Sequence, residues 1–146
     1  MRILIAVSDD DTSKDAIAFA RTLLDGSTAE HEITVLDVAT WALDSYLIAS
    51  PMTGFPPANL DEQQEAVDAH AEEVAEEAAS EVAHSAEPMV VRGDPGRAIC
   101  EVAEEQGSEL IILGTHDRSA FGRLWFGSVS DHVVHHAPCP VLVVRS

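Results

Sequence analysis

Apolar residues follow two rhythms along the chain. Short unbroken runs, RILIAV at 2–7, EITVLDV at 32–38, PMVV at 88–91, LIIL at 110–113 and VLVV at 141–144, have the length and β-branched content of strands. Between them the apolar positions move to helical spacing. In KDAIAFARTLLD, residues 14–25, Ala16, Ile17, Phe19, Ala20, Leu23 and Leu24 share a face; Asp11 or Thr12 can cap the start and Gly26 ends it. The long acidic segment 60–83 carries a narrow stripe of Val67, Ala71, Val74, Ala75, Ala78 and Val82. Asp94-Pro95 opens a helix through Ile99, Val102 and Ala103 to Gly107, with proline in the first turn. A last helix runs from about Ser128 to His136 and is broken by Pro138-Cys139-Pro140. Residues 39–59, with Pro51, Gly54, Pro56 and Pro57, read as an irregular excursion.

Strand and helix therefore alternate as βαβαβαβαβ. That order predicts an α/β fold: one domain over residues 1–146, built on a doubly wound, five-stranded parallel sheet with helices on both faces. Such sheets bind ligands beyond the carboxyl ends of their strands, where the strand order reverses. The candidate segments are those following Val7, Val38 and Leu113.

Charge narrows the partners. The chain has 26 acidic residues against 8 basic ones, a net charge of −18, and Lys14 is its single lysine. Self-repulsion on this scale is relieved by salt, so the composition points to a halophilic source. It also excludes non-specific nucleic-acid binding, which needs clustered Lys and Arg. No apolar run approaches the roughly 20 residues that span a bilayer, and MRILIAVSDD does not read as a signal peptide, so a cytoplasmic protein is expected. Cys100 and Cys139 form neither a CxxC pair nor a disulfide framework, and read as inert thiols.

Candidate chemistry gathers in GTHDRSAFGRLWFGSVS, residues 114–130. It follows a buried strand and delivers Gly127-Ser128 to a helix start, where free N–H groups and the helix dipole favour an anion. Ser128 and Ser130 can add hydroxyl donors. The alternative is structural, with Gly114 in a tight turn and Ser128 only as a cap. Asp9-Asp10-Asp11 can bind a divalent cation or form a solvated loop. His132, His135 and His136, at i, i+3 and i+4, can hold a metal or simply line a helix. Trp125 and Phe126 read as packing or interface residues. Ser8, Ser119 and Ser128 lie on no G-x-S-x-G elbow, and no Walker-type loop occurs, so no hydrolytic machinery is evident.

The opening RILIAVSDDDTSKDAIAFA, the segment VRGDPGRAICEVAEEQGSELIILGTH and the close GSVSDHVVHHAPCPVLVVR resemble the universal stress proteins over essentially the whole chain. The resemblance implies a Rossmann-like fold of the adenine nucleotide alpha hydrolase type. It also implies a homodimer formed through the C-terminal strand Val141, Leu142, Val143 and Val144. ATP-binding members carry glycine, two residues, glycine, nine residues, then glycine with serine or threonine. This chain has Gly114, Asp117 where the second glycine is expected, and Gly127-Ser128. By the same resemblance, Ala6, Val7 and Ser8 stand where binders place an aspartate against the nucleoside. Adenine is expected against Val38, Leu113 and Gly114, and the phosphates against Thr115, His116, Val129 and Ser130.

Asp117 opposes a phosphate by roughly 3–4 kcal/mol at 4–5 Å and an effective dielectric near 20. Salt, Arg118, Arg123 or a bridging Mg²⁺ can offset part of this, and a carboxylate is itself a ligand for a hard cation. The expected function is that of a regulatory or stress-protective module that binds ATP, AMP or another adenine nucleotide without significant catalysis. A dimeric interaction protein without nucleotide and a slow Mg²⁺-dependent ATPase are the alternatives.

Overall fold

A computed structural model describes residues 1–49, 52, 57–83, 85–115 and 127–145. Its elements are β1 (Arg2–Val7), α1 (Asp11–Asp25), β2 (Glu32–Ala39), α2 (Ala42–Ala49), α3 (Leu60–Val82), β3 (Ala86–Arg92), α4 (Pro95–Gln106), β4 (Leu110–Thr115), α5 (Ser128–His136) and β5 (Val141–Arg145). The strands form one parallel sheet in the order β3-β2-β1-β4-β5, with Ile5 of β1 paired to Val35 on one side and Ile112 on the other. Between β1 and β4 the winding reverses, and a cleft opens there at the carboxyl edge.

Alternation along the central strands divides the core in two. Ile3, Ile5, Val7, Ile33 and Val35 face α1 and α3, where Ala16, Ile17, Ala20, Ala78 and Ala79 complete one cluster. Leu4, Ala6, Leu36, Ile111 and Leu113 face α4 and α5, closing over Ile99, Val102 and Val133. Both faces of the central strands are covered, which is why they lack polar alternation. The acidic residues of α3 lie outward, while Ala71, Ala75, Ala78, Ala79 and Val82 are buried. Small side chains on that stripe let a long helix lie close to the sheet.

Helix ends follow local chemistry. Asp94 caps α4 by accepting the N–H of Arg97 at 3.1 Å, Pro95 takes the first turn, and Gly107 ends the helix at φ +63°. The cap of α1 is Asp10, rather than the predicted Asp11 or Thr12, and it accepts from Ser13 N–H at 3.2 Å.

Two strand limits also differ from the sequence reading. The third strand starts at Ala86, and Pro88 is tolerated because β3 is an edge strand. The fourth strand continues through Gly114 and Thr115, so Gly114 is no turn residue: it pairs with Val144 in the ladder.

Part of the supposed irregular excursion is helical. ALDSYLIA, α2, contains neither glycine nor proline, and with Asp44 and Ser45 set among apolar residues it shows no clear helical period. Its start is tied by a long-range contact, with Gln64 Oε1 accepting from Ala42 N–H at 2.8 Å and Gln64 Nε2 donating to the Thr40 carbonyl. Pro51, Gly54 and Pro56 lie outside the described residues.

Candidate functional site

The cleft is a cavity of about 480 Å³ at the carboxyl ends of β1, β2 and β4. Ala6, Val7 and Ser8 come from β1 and the turn after it, Val38 from β2, and Leu113, Gly114 and Thr115 from β4; Gly127, Ser128, Val129 and Ser130 close it from α5. These sequence-predicted residues are therefore brought together. His116 and Asp117, with Arg118, Ser119, Arg123, Trp125 and Phe126, lie outside the described residues.

Gly114 owes its identity to close packing. A Cβ there would lie 2.1 Å from the main-chain oxygen of Thr12, so only glycine lets β4 pass the start of α1. On the far wall, Gly127 N–H donates to Thr115 Oγ1 at 3.3 Å, and the Ser130 hydroxyl donates to the Gly127 carbonyl at 3.0 Å and to Thr115 Oγ1 at 3.3 Å. Buried Ser130 and Thr115 thus brace the turn, and the Ser130 hydroxyl is spent there instead of serving as a free donor. Among the described residues no side chain caps helix α5. Its first-turn amides at Ser128, Val129 and Ser130 find no acceptor within the helix and begin at the cavity wall.

The β1–α1 turn is built in the opposite sense. Ser8 Oγ donates to Asp10 Oδ2 at 2.9 Å, the Thr12 hydroxyl donates to Asp10 Oδ1, and Ser8 N–H donates to Ser13 Oγ at 2.8 Å. Burial pushes the Asp10 pKa up, but the hydrogen bonds from Thr12, Ser8 and Ser13 together leave it below the ordinary value. Neighbouring carboxylates separate from it: Asp9 pairs with His70 of α3 at 2.8 Å and Asp11 with Lys14 at 3.0 Å. The three carboxylates therefore have separate sets of partners and do not converge on a cation.

Asp37 is the functional candidate that sequence reasoning passed over. It is 8% exposed, stands beside Val7 in the β1–β2 register, and lines the cavity. Burial, reinforced by the charges of Asp9 and Asp10 and only partly offset by a backbone hydrogen bond at Val38 and by His70, raises its pKa from 3.8 to about 6. A lone carboxylate within the otherwise apolar run ITVLDVA was the available signal. Asp10, Thr12, Ser13, Pro95 and Ile99 are further lining residues that the motif did not contain.

The other candidates lie elsewhere. His132 and His136 stack with centroids 4.2 Å apart, and the Nδ1 atoms of His135 and His136 approach the carbonyls of Asp131 and His132 at 2.8 Å. Among the described residues no group of three or more His, Cys, Asp or Glu side chains could hold a metal. Cys100 and Cys139 are unbridged and half-buried against the α4–α5 core, and burial raises both thiol pKa values. Among the described residues no helix is long and apolar enough to cross a membrane.

Comparison with known proteins places this geometry in a family. A universal stress protein of Thermus aquaticus is 44% identical over 57 residues, 39% of this chain and 42% of that protein. The chain thus spans under half of that relative. The universal stress protein YxiE of Bacillus subtilis is 31% identical over 150 residues, covering 99% of this chain and 98% of its own. Universal stress protein UspA from Lactobacillus plantarum superposes with a TM-score of 0.72 at 26% identity, over 99% and 97% of the two chains. A universal stress protein in complex with cAMP gives 0.62 at 21% identity, over 99% and 96%. An Arabidopsis thaliana family member with AMP bound gives 0.61 at 18% identity, over 99% and 91%. A model of the universal stress protein family matches residues 1–145, and the chain belongs to that family.

Proposed function

We propose that this chain binds an adenine nucleotide in the β1–β4 cleft and acts as a regulatory or stress-protective module without turnover. One observation carries the reading: the start of α5, which no side chain among the described residues caps, faces a cavity that also presents the apolar Ala6, Val38, Ile99 and Leu113. Donors at one end and apolar surface at the other suit a phosphate joined to a flat base. Family members that hold AMP and cAMP on the same fold support it. Titration calorimetry with ATP, ADP and AMP, with and without Mg²⁺, tests the proposal. Saturable heat is expected without Mg²⁺, and binding that requires the metal would instead indicate a cation at the phosphates. Multiple turnovers of ATP would replace the reading with that of a slow ATPase.

The carboxylates of Asp10 and Asp37 in the same cavity favour a second reading, an interaction protein of this fold with no nucleotide. No heat and no thermal shift with any adenine nucleotide would decide for it.

Assembly is proposed through β5, whose Val141, Leu142, Val143 and Val144 are only half-buried and pair with β4 along one edge. Light scattering is expected to report a homodimer, and Val143→Asp a monomer. The net charge of −18 further suggests a cytoplasm rich in salt. Unfolding free energy is then expected to rise from low to molar salt; a flat or falling trend would refute that origin.

A further inference from the structure

Granted the nucleotide binding proposed for it, the cleft has unlike ends, and the difference bears on which nucleotide it takes. Among the described residues, the donors at the α5 end are few and neutral. Gly127 N–H is spent on Thr115, the Ser130 hydroxyl on Gly127 and Thr115, and Asp131 N–H closes back onto the Gly127 carbonyl at 2.9 Å. That leaves the amides of one helical turn, Ser128 to Ser130, and the exposed Ser128 side chain. Such a set matches the oxygens of one phosphoryl group.

At the β1–β2 end, Asp10 and Asp37 border the same cavity. Asp10 is held by three neighbouring donors, so it is an ionised carboxylate in a fixed position. Asp37 is buried beside it, with His70 paired to Asp9 behind them. Among the described residues, these two carboxylates are the charged side chains that line the cavity.

We propose that the site selects a nucleoside monophosphate over the corresponding di- and triphosphate. The α5 turn satisfies the first phosphoryl group. Each further group extends past that turn and adds about one negative charge to a cavity already carrying two carboxylates.

The test is calorimetry of the full chain, free of divalent metal, with adenosine, AMP, ADP and ATP. It is run at the lowest salt that preserves the folded circular-dichroism spectrum and again in molar salt. At the lower salt AMP is expected to bind at least about tenfold more tightly than ATP, and the gap is expected to narrow in molar salt, where the screening length falls to about 3 Å. Asp37→Asn, which keeps the shape and removes a charge, is expected to bring the ATP-to-AMP affinity ratio closer to one. ATP binding as tightly as AMP, or more so, overturns the selection while the nucleotide reading stands. Adenosine binding as tightly as AMP also overturns it, because the α5 turn would then hold no phosphate. A ratio that responds to neither salt nor Asp37→Asn overturns its electrostatic origin. Silence with all four ligands at both salts defeats the nucleotide reading itself, and this inference with it.

Discussion

Two helix starts border the cleft, and they treat their free amides differently. At α1 the chain supplies its own anion: Asp10 accepts from the amide of Ser13 and from the hydroxyls of Ser8 and Thr12. At α5 no side chain among the described residues caps the turn, and Ser130 and Thr115 are bonded to one another and to the backbone of Gly127 behind it. The first start is closed by an internal carboxylate, so its positive end is already neutralised. At the second, the amides of the first turn meet no acceptor among the described residues. An anion in the proposed site would complete a cap that no side chain among the described residues supplies.

The largest expected effect comes where β4 passes the start of α1. Gly114→Ala puts a methyl group 2.1 Å from the Thr12 carbonyl oxygen, against backbone that cannot rotate away. A loss of about 3 kcal/mol or more in denaturant-measured stability is expected, together with loss of nucleotide binding. A stable Gly114→Ala variant that still bound nucleotide would mean that β4 and the start of α1 can move apart without loss of the site.

Asp37 sharpens the contrast through pH. Its folded pKa, about 6, stands above the ordinary 3.8, so the native state favours the protonated form. Its contribution to stability is complete below about pH 4 and is lost as pH rises through 6, which amounts to roughly 3 kcal/mol. Asp37→Asn removes that loss. The variant is expected to match the parent near pH 4 and to exceed it above pH 6, as read from unfolding midpoints across pH. A gain of equal size at every pH would show that burial of the charge is not the cause.

Smaller effects should separate the two caps. Asp10→Ala is expected to cost about 1 kcal/mol, the usual worth of a lost N-cap. Ser128→Ala removes no cap bond, so its stability change should stay within about 0.5 kcal/mol while the affinity for AMP falls. If Ser128→Ala destabilised the fold as much as Asp10→Ala, the claimed asymmetry between the helix starts would disappear.

Much of this architecture is readable in local chemistry. Asp94-Pro95 and Gly107 bracket α4 because cap, proline and left-handed glycine each act within a turn. The alanine and valine stripe of α3 and the apolar strands reveal their faces through period alone. Helix α2 escaped notice because its eight residues, with Asp44 and Ser45 set among apolar ones, show no clear helical period, and its start is held by Gln64, 22 residues downstream of Ala42. The motif likewise led to residues that the fold brings to one cleft, Gly127 and Ser128 on one wall and Val38 on another. The alternative reading of Gly114 as a tight-turn residue missed its close approach to Thr12, and Asp37 was overlooked, since neither close approach nor burial is a property of neighbouring residues.

Period, caps and the alternation of strand with helix were enough to specify a parallel sheet and the edge at which a ligand enters, because those signals are local and repeat. The family motif added where an anion would sit. Which amides remain free, which carboxylate is desolvated and which glycine is obligatory depended on residues far apart in the chain. Thr12 meets Gly114, Thr115 meets Ser130, and Asp37 lies beside the β1–α1 turn only once β1 is laid between β2 and β4. Hydrogen-bond saturation and burial are set by what folding brings alongside, and no string of neighbours records them.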